Sequence, residues 1–478
     1  MDAKKFWESL KEQNMQQTSA ISARQRQIRN FVIAWLGITL LLGALTFIGI
    51  YYATGQADAA ADNADDLSLT ILTNPEVEAR AAAQQGQGNS PRANAAQAGP
   101  RRGDARAQDA TPAPAATLPP AEDQTFQVGV QVEPNPDPEV YKLWMGEVRD
   151  KLKLKWIKLQ VRWADIEPEP GQYNWDALDV ALNLAQEYDI HVMLSVVTAP
   201  DWAREQGNTR LDEVGPPADP QDYANFLITM LYRYPGQIHA IEVWNEMNID
   251  REWASVYGLS AERYVELLRA AYNAIKAVDP GVIVISGALS PTGWNDGVQA
   301  YDDFVYMDML IQAGLLETTD CVGAHHNGYN IGPGAPWNQV PNDPTASFRG
   351  PFDNPHHSWS FYSTLQGYAQ RIQQAGSDKK LCVTEFGWPT TEDLQGYPVG
   401  FEFANDNTLE EQAQYIDEAI QLMDQWGFVW LAFLWNLNYG PQAGWDASND
   451  NVPYSLLRPN WQTAPAYEVI AKYNFRER

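Results

Sequence analysis

From Thr125 onward, short apolar or β-branched runs alternate with longer amphipathic stretches. Such runs predict strands, here at 126–132, 156–163, 191–197, 240–244, 282–289, 321–325, 381–385 and 429–435. In the longer stretches, apolar residues recur at three- and four-residue spacing, which predicts helices at 176–188, 223–232, 261–278, 301–313, 361–375 and 410–426. Strands that alternate with helices indicate an α/β fold with a parallel sheet.

Eight such units predict a (β/α)8 TIM barrel, which we assign to residues 123–478 as the catalytic domain. An open, doubly wound sheet is the alternative α/β architecture. It is disfavoured because no glycine-rich phosphate loop follows the first predicted strand. Three long connections, 198–221, 327–357 and 436–461, follow strands and would lie at the face of the barrel where active sites are built.

The N-terminal part contains an uncharged apolar run at 31–52, long enough to cross a bilayer as a helix. Lysines and arginines precede this run and aspartates follow it, so residues 1–30 are expected in the cytoplasm. The sequence thus predicts a single-pass anchor in the cell membrane, with the catalytic domain extracellular. A cleaved signal peptide is the rival interpretation, with Ala57-Asp58-Ala59 as a candidate cleavage site.

Residues 53–122 are dominated by Ala, Gln, Pro, Gly, Asn and Asp, and from 53 onward they contain no aromatic residue. Such a segment buries too little apolar surface to offset the entropy of ordering it. We therefore expect a disordered stalk that holds the barrel away from the membrane.

The formal net charge of −28 argues against nucleic acid as a partner, because phosphates would be repelled. The two cysteines, Cys321 and Cys382, can build neither a disulfide framework nor a cysteine-based metal site. The pairs His325-His326 and His356-His357 do not predict a metal, because adjacent strand residues diverge. No cofactor or metal is expected, and the lack of a Gly-x-Ser-x-Gly elbow disfavours a serine hydrolase.

Two glutamates close predicted strands: Glu246 the fourth, in 241–246, and Glu385 the seventh, in 381–388. In a closed barrel these two strand ends face each other across the mouth. Glycosidic cleavage uses such a pair, because one carboxylic acid protonates the leaving oxygen while one carboxylate attacks the anomeric carbon. Asn245 is placed to hydrogen-bond a sugar 2-hydroxyl.

Three segments carry a resemblance to a known group: Trp244-Asn245-Glu246, Thr384-Glu385-Phe386-Gly387-Trp388 and the stretch 166–176 after the second strand. They resemble the motifs of clan A glycoside hydrolases, and the likeness covers about 126–473. It is nearest to family 39 (β-xylosidase-like), with family 5 next. The resemblance implies that Glu246 is the acid/base, Glu385 the nucleophile and Asn245 the 2-hydroxyl ligand.

Five further residues are candidates for substrate binding. Arg162 ends the second strand and could hydrogen-bond Glu385 and favour its ionised form, or form a structural ion pair instead. His325 resembles the sixth-strand histidine of several clan members, although Tyr329 is displaced from the position of its usual aromatic partner. Trp435 resembles the eighth-strand tryptophan that floors the sugar subsite. Trp202 and Tyr329 lie in long loops that would shape subsites.

The function predicted is a retaining glycoside hydrolase that cleaves β-glycosidic bonds of extracellular carbohydrate by double displacement. A catalytically silent carbohydrate-binding or wall-tethering protein remains an alternative because fold does not imply function. A transglycosylase is the third possibility, since it uses the same residues. In a hydrolase and in a transglycosylase alike, partial burial and the charge of Glu385 are expected to raise the pKa of Glu246.

Overall fold

The computed structural model describes residues 118–119 and 124–478. The predicted cytoplasmic segment 1–30, the predicted anchor 31–52 and nearly all of the predicted stalk 53–122 lie outside these residues. Within the described ranges, no helix combines the length and the apolar character that a membrane crossing requires.

Eight parallel strands form one sheet in the order β5-β4-β3-β2-β1-β8-β7-β6. Their bounds are β1 Gln127–Gln131, β2 Trp156–Arg162, β3 His191–Val197, β4 Ala240–Val243, β5 Ile283–Ser286, β6 Val322–Asn327, β7 Leu381–Gly387 and β8 Val429–Leu434. Each strand is followed by a helix of nine or more residues, so the predicted (β/α)8 barrel is confirmed. The helices are α1 Pro138–Gly146, α2 Asp176–Glu187, α3 Pro220–Arg233, α4 Ala261–Val278, α5 Asp303–Ala313, α6 Phe361–Gln374, α7 Leu409–Trp426 and α8 Pro465–Tyr473.

The sheet closes between β5 and β6 through a parallel bridge from Ile285 to Cys321. The Ser286 amide donates to the Cys321 carbonyl at 3.2 Å, and the Ser286 hydroxyl accepts from the Gly323 amide at 3.0 Å. A Cβ at Gly323 would lie 2.0 Å from the Ser286 carbonyl oxygen, so only glycine permits this approach of the two backbones.

Two helices were not predicted individually, α1 and α8, because each is only nine residues long. Each begins with proline, which is pre-organised for the first helical position. At α1 the Asp137 carboxylate also accepts from the Glu139 amide at 3.0 Å and caps the helix. Predicted strand 282–289 is shorter in the structure and ends at Ser286.

The lower interior of the barrel, at the N-terminal ends of the strands, is an apolar cluster in which every residue is at most 7% exposed. Cys321 and Cys382 belong to this cluster and form one disulfide, which joins the residue before β6 to the second residue of β7. We name this group the lower cluster; it contains Trp156, Met193, Ala240, Ile283, Ile285, Cys321, Cys382, Trp430, Leu431 and Phe433. A second, larger core lies between the strands and the helices.

Candidate active site

A cavity of about 690 Å³ opens at the C-terminal ends of the strands. Its wall includes six of the eight residues selected from the sequence, namely Asn245, Glu246, His325, Tyr329, Glu385 and Trp435. They come from the ends of β4, β6, β7 and β8 or from the segments that follow these strands. The cavity therefore lies where enzymes with this fold place their active sites.

Glu385 enters the cavity because β7 departs from regular pairing. Ala324 of β6 pairs with Val383, but the next residue, His325, pairs with Glu385, which leaves Thr384 as an extra residue. Such a bulge re-aims side chains, and here both Thr384 and Glu385 reach the barrel interior although neighbours on a strand normally diverge.

The carboxylate of Glu385 has a donor at each oxygen. Lys158 Nζ of β2 lies 2.8 Å from Oε1, and Asn327 Nδ2 donates to Oε2 at 3.1 Å. Lys158 is fully buried and also donates to the Thr384 carbonyl at 3.2 Å. These contacts fix the orientation of the Glu385 carboxylate toward the cavity.

A second buried carboxylate, Glu242 of β4, lies beneath this pair. Its Oε2 is 3.6 Å from Lys158 Nζ, and its Oε1 accepts from the Thr384 hydroxyl at 2.5 Å. Glu242 is 0% exposed, and burial of this carboxylate is tolerable because Lys158 and the Thr384 hydroxyl lie against its two oxygens. The contacts tie β2, β4 and β7 together below the cavity.

Glu246 lies beyond the end of β4, contrary to the prediction that it closes the strand. The chain turns sharply after Val243, and both Trp244 (φ 75°) and Glu246 (φ 41°) adopt left-handed backbone conformations. Packing supports this strain, because Trp244 is fully buried and its indole donates to the Glu252 carbonyl at 2.8 Å. The Glu246 amide donates to the Ala288 carbonyl at 2.9 Å, which fixes the turn against the segment after β5.

The imidazole of His325 connects the two predicted catalytic glutamates. Its Nδ1 lies 3.2 Å from Glu246 Oε1, and its Nε2 lies 3.8 Å from Glu385 Oε1. Burial by itself would lower the pKa of His325, but the carboxylates of Glu385 and Glu246 raise it above its ordinary value.

The pKa of Glu246 differs from the expectation. Burial does raise it, but the hydrogen bond and charge of His325, together with Arg251 at 3.4 Å, lower the pKa of this carboxyl below its usual range. The sequence did not identify His325 as the hydrogen-bond partner of Glu246, because no motif relates the positions of these two residues.

Beside Glu246, the cavity wall contains a further acid, Glu252, that sequence reasoning missed. Burial, and then the charge of Glu246, raise the pKa of Glu252 to about 7, although a hydrogen bond with the Asn245 side chain opposes the shift. Asn245, the predicted sugar ligand, therefore lies close to Glu252 in the same cavity wall.

Aromatic rings form much of the remaining wall. Trp435, one residue beyond β8, has Lys158 Nζ 5.7 Å from its ring centroid. Tyr329 packs edge-on against Trp359 at 4.7 Å and against Phe403 at 4.9 Å between ring centroids. Flat apolar surfaces of this kind suit the C–H face of a sugar ring.

Arg162 does not contact Glu385, so this part of the prediction is wrong and the structural alternative holds. Its guanidinium is about half exposed and pairs with Asp165 at 3.3 Å. Trp156, Lys158, Gln160 and Arg162 share one face of β2, but Arg162 lies four residues, or about 13 Å, beyond Lys158 along the strand. Lys158 therefore lies at the same depth in the barrel as Glu385, whereas Arg162 lies at the rim of the cavity.

Trp202 does not line the cavity, so its role in substrate binding stays a prediction. Its indole donates to the Glu167 carbonyl at 3.1 Å, and its ring packs edge-on against buried Trp163. Trp202 thus anchors the loop after β3 to the outer core.

Lys158 and Glu242 could have been found in the sequence. Each is a charged residue inside an otherwise apolar predicted strand, a pattern that a barrel interior tolerates only if the charges are paired. Asn327, Arg251 and Glu252 carry no comparable signal, because each lies at or beyond a strand end in polar sequence.

Glycoside hydrolases are among the solved structures of similar fold. A family 39 glycoside hydrolase from the gut symbiont Bacteroides cellulosilyticus WH2 aligns with TM-score 0.53 at 17% identity, over 75% of this chain and 65% of that one. A monomeric beta-xylosidase from Caulobacter crescentus CB15 aligns with TM-score 0.50 at 15% identity, over 75% and 69%. The chain thus spans less than two thirds of the first of these relatives.

At the level of sequence, the profile of the glycoside hydrolase family 42 beta-galactosidases matches residues 143–213. A comparison with curated proteins gives no significant match. The resemblance to clan A glycoside hydrolases, family 39 included, is therefore confirmed for the fold of the barrel.

Proposed function

We propose that the chain is a retaining glycoside hydrolase that cleaves β-glycosidic bonds by double displacement, with Glu246 as acid/base and Glu385 as nucleophile. One observation carries the proposal: two carboxylates from β4 and β7 converge on the His325 ring within a single cavity. The resemblance in fold to a family 39 enzyme and a beta-xylosidase supports the reaction class.

Glu385 suits the role of nucleophile because its carboxylate is held on both sides, by Lys158 at 2.8 Å and Asn327 at 3.1 Å. A nucleophile that is already oriented loses little entropy on attack. Its attack on the anomeric carbon would form a glycosyl-enzyme and expel the leaving group.

The proton for the leaving group comes from the hydrogen-bonded pair of Glu246 and His325. In the free site the raised pKa of His325 and the lowered pKa of Glu246 place this proton on the imidazole. Transfer along the 3.2 Å hydrogen bond gives Glu246 the acidic form that general-acid catalysis needs. Once the glycosyl-enzyme forms, the pair has given its proton to the leaving group, and the negative charge of Glu385 is lost. The pair therefore remains deprotonated and can accept a proton from the water that attacks the intermediate.

The anomeric outcome tests the mechanism. Proton NMR of the first-formed sugar should show retention at the anomeric carbon with an aryl β-glycoside, such as the xyloside or glucoside. With Glu246→Ala, added azide should restore turnover and give a β-glycosyl azide, because azide attacks the intermediate without a base. An inverted first product overturns Glu385 as nucleophile.

The same experiment separates the alternatives. Transfer to an added acceptor sugar in preference to water would identify a transglycosylase that uses the same residues. A protein that binds the sugars but turns over no activated β-glycoside would be the silent carbohydrate-binding protein.

We also propose that the barrel works outside the cell, anchored by residues 31–52 and spaced from the membrane by 53–122. The charge asymmetry around the apolar run supports this orientation. The Cys321–Cys382 disulfide adds support, since disulfides persist mainly in oxidising compartments. Protease added to intact cells should release a soluble, active barrel, whereas a barrel that stays protected until the cells are broken contradicts the orientation.

A further inference from the structure

A cluster of imidazole and carboxylate groups lies behind the aromatic wall of the cavity, at the start of α5. Asp302 precedes this helix, and His356 and His357 end the long connection between β6 and α6. Asp302 Oδ2 lies 3.4 Å from His356 Nε2 and 3.8 Å from His357 Nε2, and all three ligand atoms lie within 4.8 Å of one another. In sequence the two histidines suggested no metal, because adjacent residues on a strand diverge, but here they begin a short 3₁₀ turn.

We propose that Asp302, His356 and His357 bind a divalent transition-metal ion of the zinc type. Two neutral imidazoles and one carboxylate are a donor set that zinc accepts. In tetrahedral zinc sites with bonds of about 2.0–2.1 Å, neighbouring ligand atoms lie about 3.4 Å apart. The two Asp302 distances need only a small closure to reach that geometry.

Each donor is already oriented. Asp302 Oδ1 accepts from the amides of Phe304 and Val305 at 3.0 and 3.1 Å as the helix cap, which leaves Oδ2 for an ion. His356 Nδ1 accepts from the Ser358 amide at 3.3 Å and lies 2.9 Å from the Ser358 hydroxyl. When Nε2 binds the metal, Nδ1 carries the proton, so it gives up the amide contact and donates to the hydroxyl instead.

The ring of His357 is fixed by stacking on Phe304 at 3.5 Å between ring centroids. Its Nε2 lies 3.1 Å from Asp303 Oδ1, a hydrogen bond that it exchanges for the metal. Asp303 remains satisfied after this exchange, because its carboxylate also accepts from Tyr368 and from the Thr292 amide.

A third histidine supports a polar site here. His326 is 1% exposed, and neither of its ring nitrogens has a hydrogen-bond partner among the described residues. The charges of Asp303 and His357 act on this ring, so His326 lies beside the cluster. Burial of an imidazole without a hydrogen-bond partner costs desolvation free energy. The surroundings of His326 are therefore suited to a further polar group or ion.

The consequence of binding would be structural. The ion would join the start of α5 to the end of the connection after β6, which carries Tyr329 and Phe348 of the cavity wall. Because the ion binds only the folded arrangement, it stabilises that wall and the whole barrel.

The test uses the purified full-length chain, stripped with a chelator, loaded with zinc chloride and dialysed, and then measured for bound metal by mass spectrometry. The wild type should retain one zinc per chain and should melt at a higher temperature with zinc than without. Cobalt in place of zinc should give the visible absorption of a tetrahedral site.

Two variants remove single ligands. Asp302→Asn keeps an oxygen for the helix cap but loses the charge, and His356→Gln changes a side chain that is about one third exposed, so it is expected to fold. Each should weaken zinc binding by at least about 100-fold, since loss of a hydrogen-bond partner of a ligand alone costs about 10–100-fold.

His191→Gln is the matched control, because His191 stacks on His239 at the entry to β3, at the opposite end of the barrel. It should retain zinc like the wild type. The proposal is overturned if the wild type retains no zinc, or if Asp302→Asn and His356→Gln, shown to be folded by their melting curves, retain as much as the control.

Discussion

The interior of the barrel has two regions with opposite chemistry, built from the same strands. The lower cluster is apolar, whereas the region just above it contains Lys158, Glu242, His325 and Glu385, and the two lie only one inward-facing position apart. On β2 the change occurs from Trp156 to Lys158, and on β4 from Ala240 to Glu242. Two strand residues correspond to a rise of only about 6.6 Å.

The difference shows how one scaffold separates stability from function. Packing in the lower cluster stabilises the fold through removal of apolar surface from water. The charged region above it costs desolvation free energy, which the ion pairs of Lys158 with Glu242 and Glu385 help to offset. Substitutions in the two regions should therefore affect different measurements, and the following predictions test that separation.

The largest effect is expected from Glu385→Ala. The protein should fold, because the side chain lies at the cavity, but turnover of aryl β-glycosides should become undetectable, since no glycosyl-enzyme can form.

Glu246→Ala should lower turnover about 10²–10⁴-fold on substrates with poor leaving groups and less on activated ones. Steady-state kinetics on matched leaving groups measure this contrast, and equal losses on both substrates would contradict the two roles.

Lys158→Met should lower both activity and stability. It removes the positive charge shared by Glu242 and Glu385 and leaves buried carboxylates without their partner, at a cost of about 3–5 kcal/mol in the free energy of unfolding. Turnover should fall at least about 100-fold, as Glu385 loses its orienting donor. Denaturant unfolding and kcat are the measurements, and an unchanged kcat in the folded variant would exclude Lys158 from the site.

Phe433→Ala should destabilise without changing chemistry. Phe433 of the lower cluster is 1% exposed and packs edge-on against Trp156, so the cavity left behind should cost about 3–5 kcal/mol. The kcat of the folded fraction at low temperature should match that of the wild type. A loss of kcat comparable to that of Lys158→Met would show that the two regions are not separable.

His325→Gln should change the pH dependence. In the wild type the raised pKa of His325 keeps the pair with Glu246 protonated to higher pH, so activity should fall as pH rises through that raised value. Without the imidazole, Glu246 must hold the proton itself, and the basic limb of the kcat/KM profile should move to lower pH. An unmoved basic limb would show that His325 does not hold the catalytic proton.

The smallest effect is expected from Arg162→Ala. Its ion pair with Asp165 is exposed, so the free energy of unfolding should change by under about 1 kcal/mol. Activity should stay close to that of the wild type, in contrast to Lys158→Met on the same strand. A large loss of kcat would restore the role that the sequence suggested.

The alternation of apolar runs and amphipathic stretches determined the barrel. Each strand and helix must bury one side, and the spacing of apolar residues along the sequence is enough to reveal that side. It also placed Glu246, Glu385 and Asn245 at the mouth, since the C-terminal ends of parallel strands share one face of a barrel. No tertiary information beyond that rule was needed to place these three residues together. The anchor and stalk follow from composition in the same way and remain predictions.

Only the tertiary structure decided which side chains meet. The bulge at Thr384 turns Glu385 toward Lys158 rather than Arg162, and the left-handed turn at Trp244 brings Glu246 to His325. Likewise, Asp302 meets His356 and His357 only where the loop after β6 returns to α5. These contacts join residues far apart in the chain, and they depend on departures from regular strand geometry, which a periodic sequence pattern does not encode.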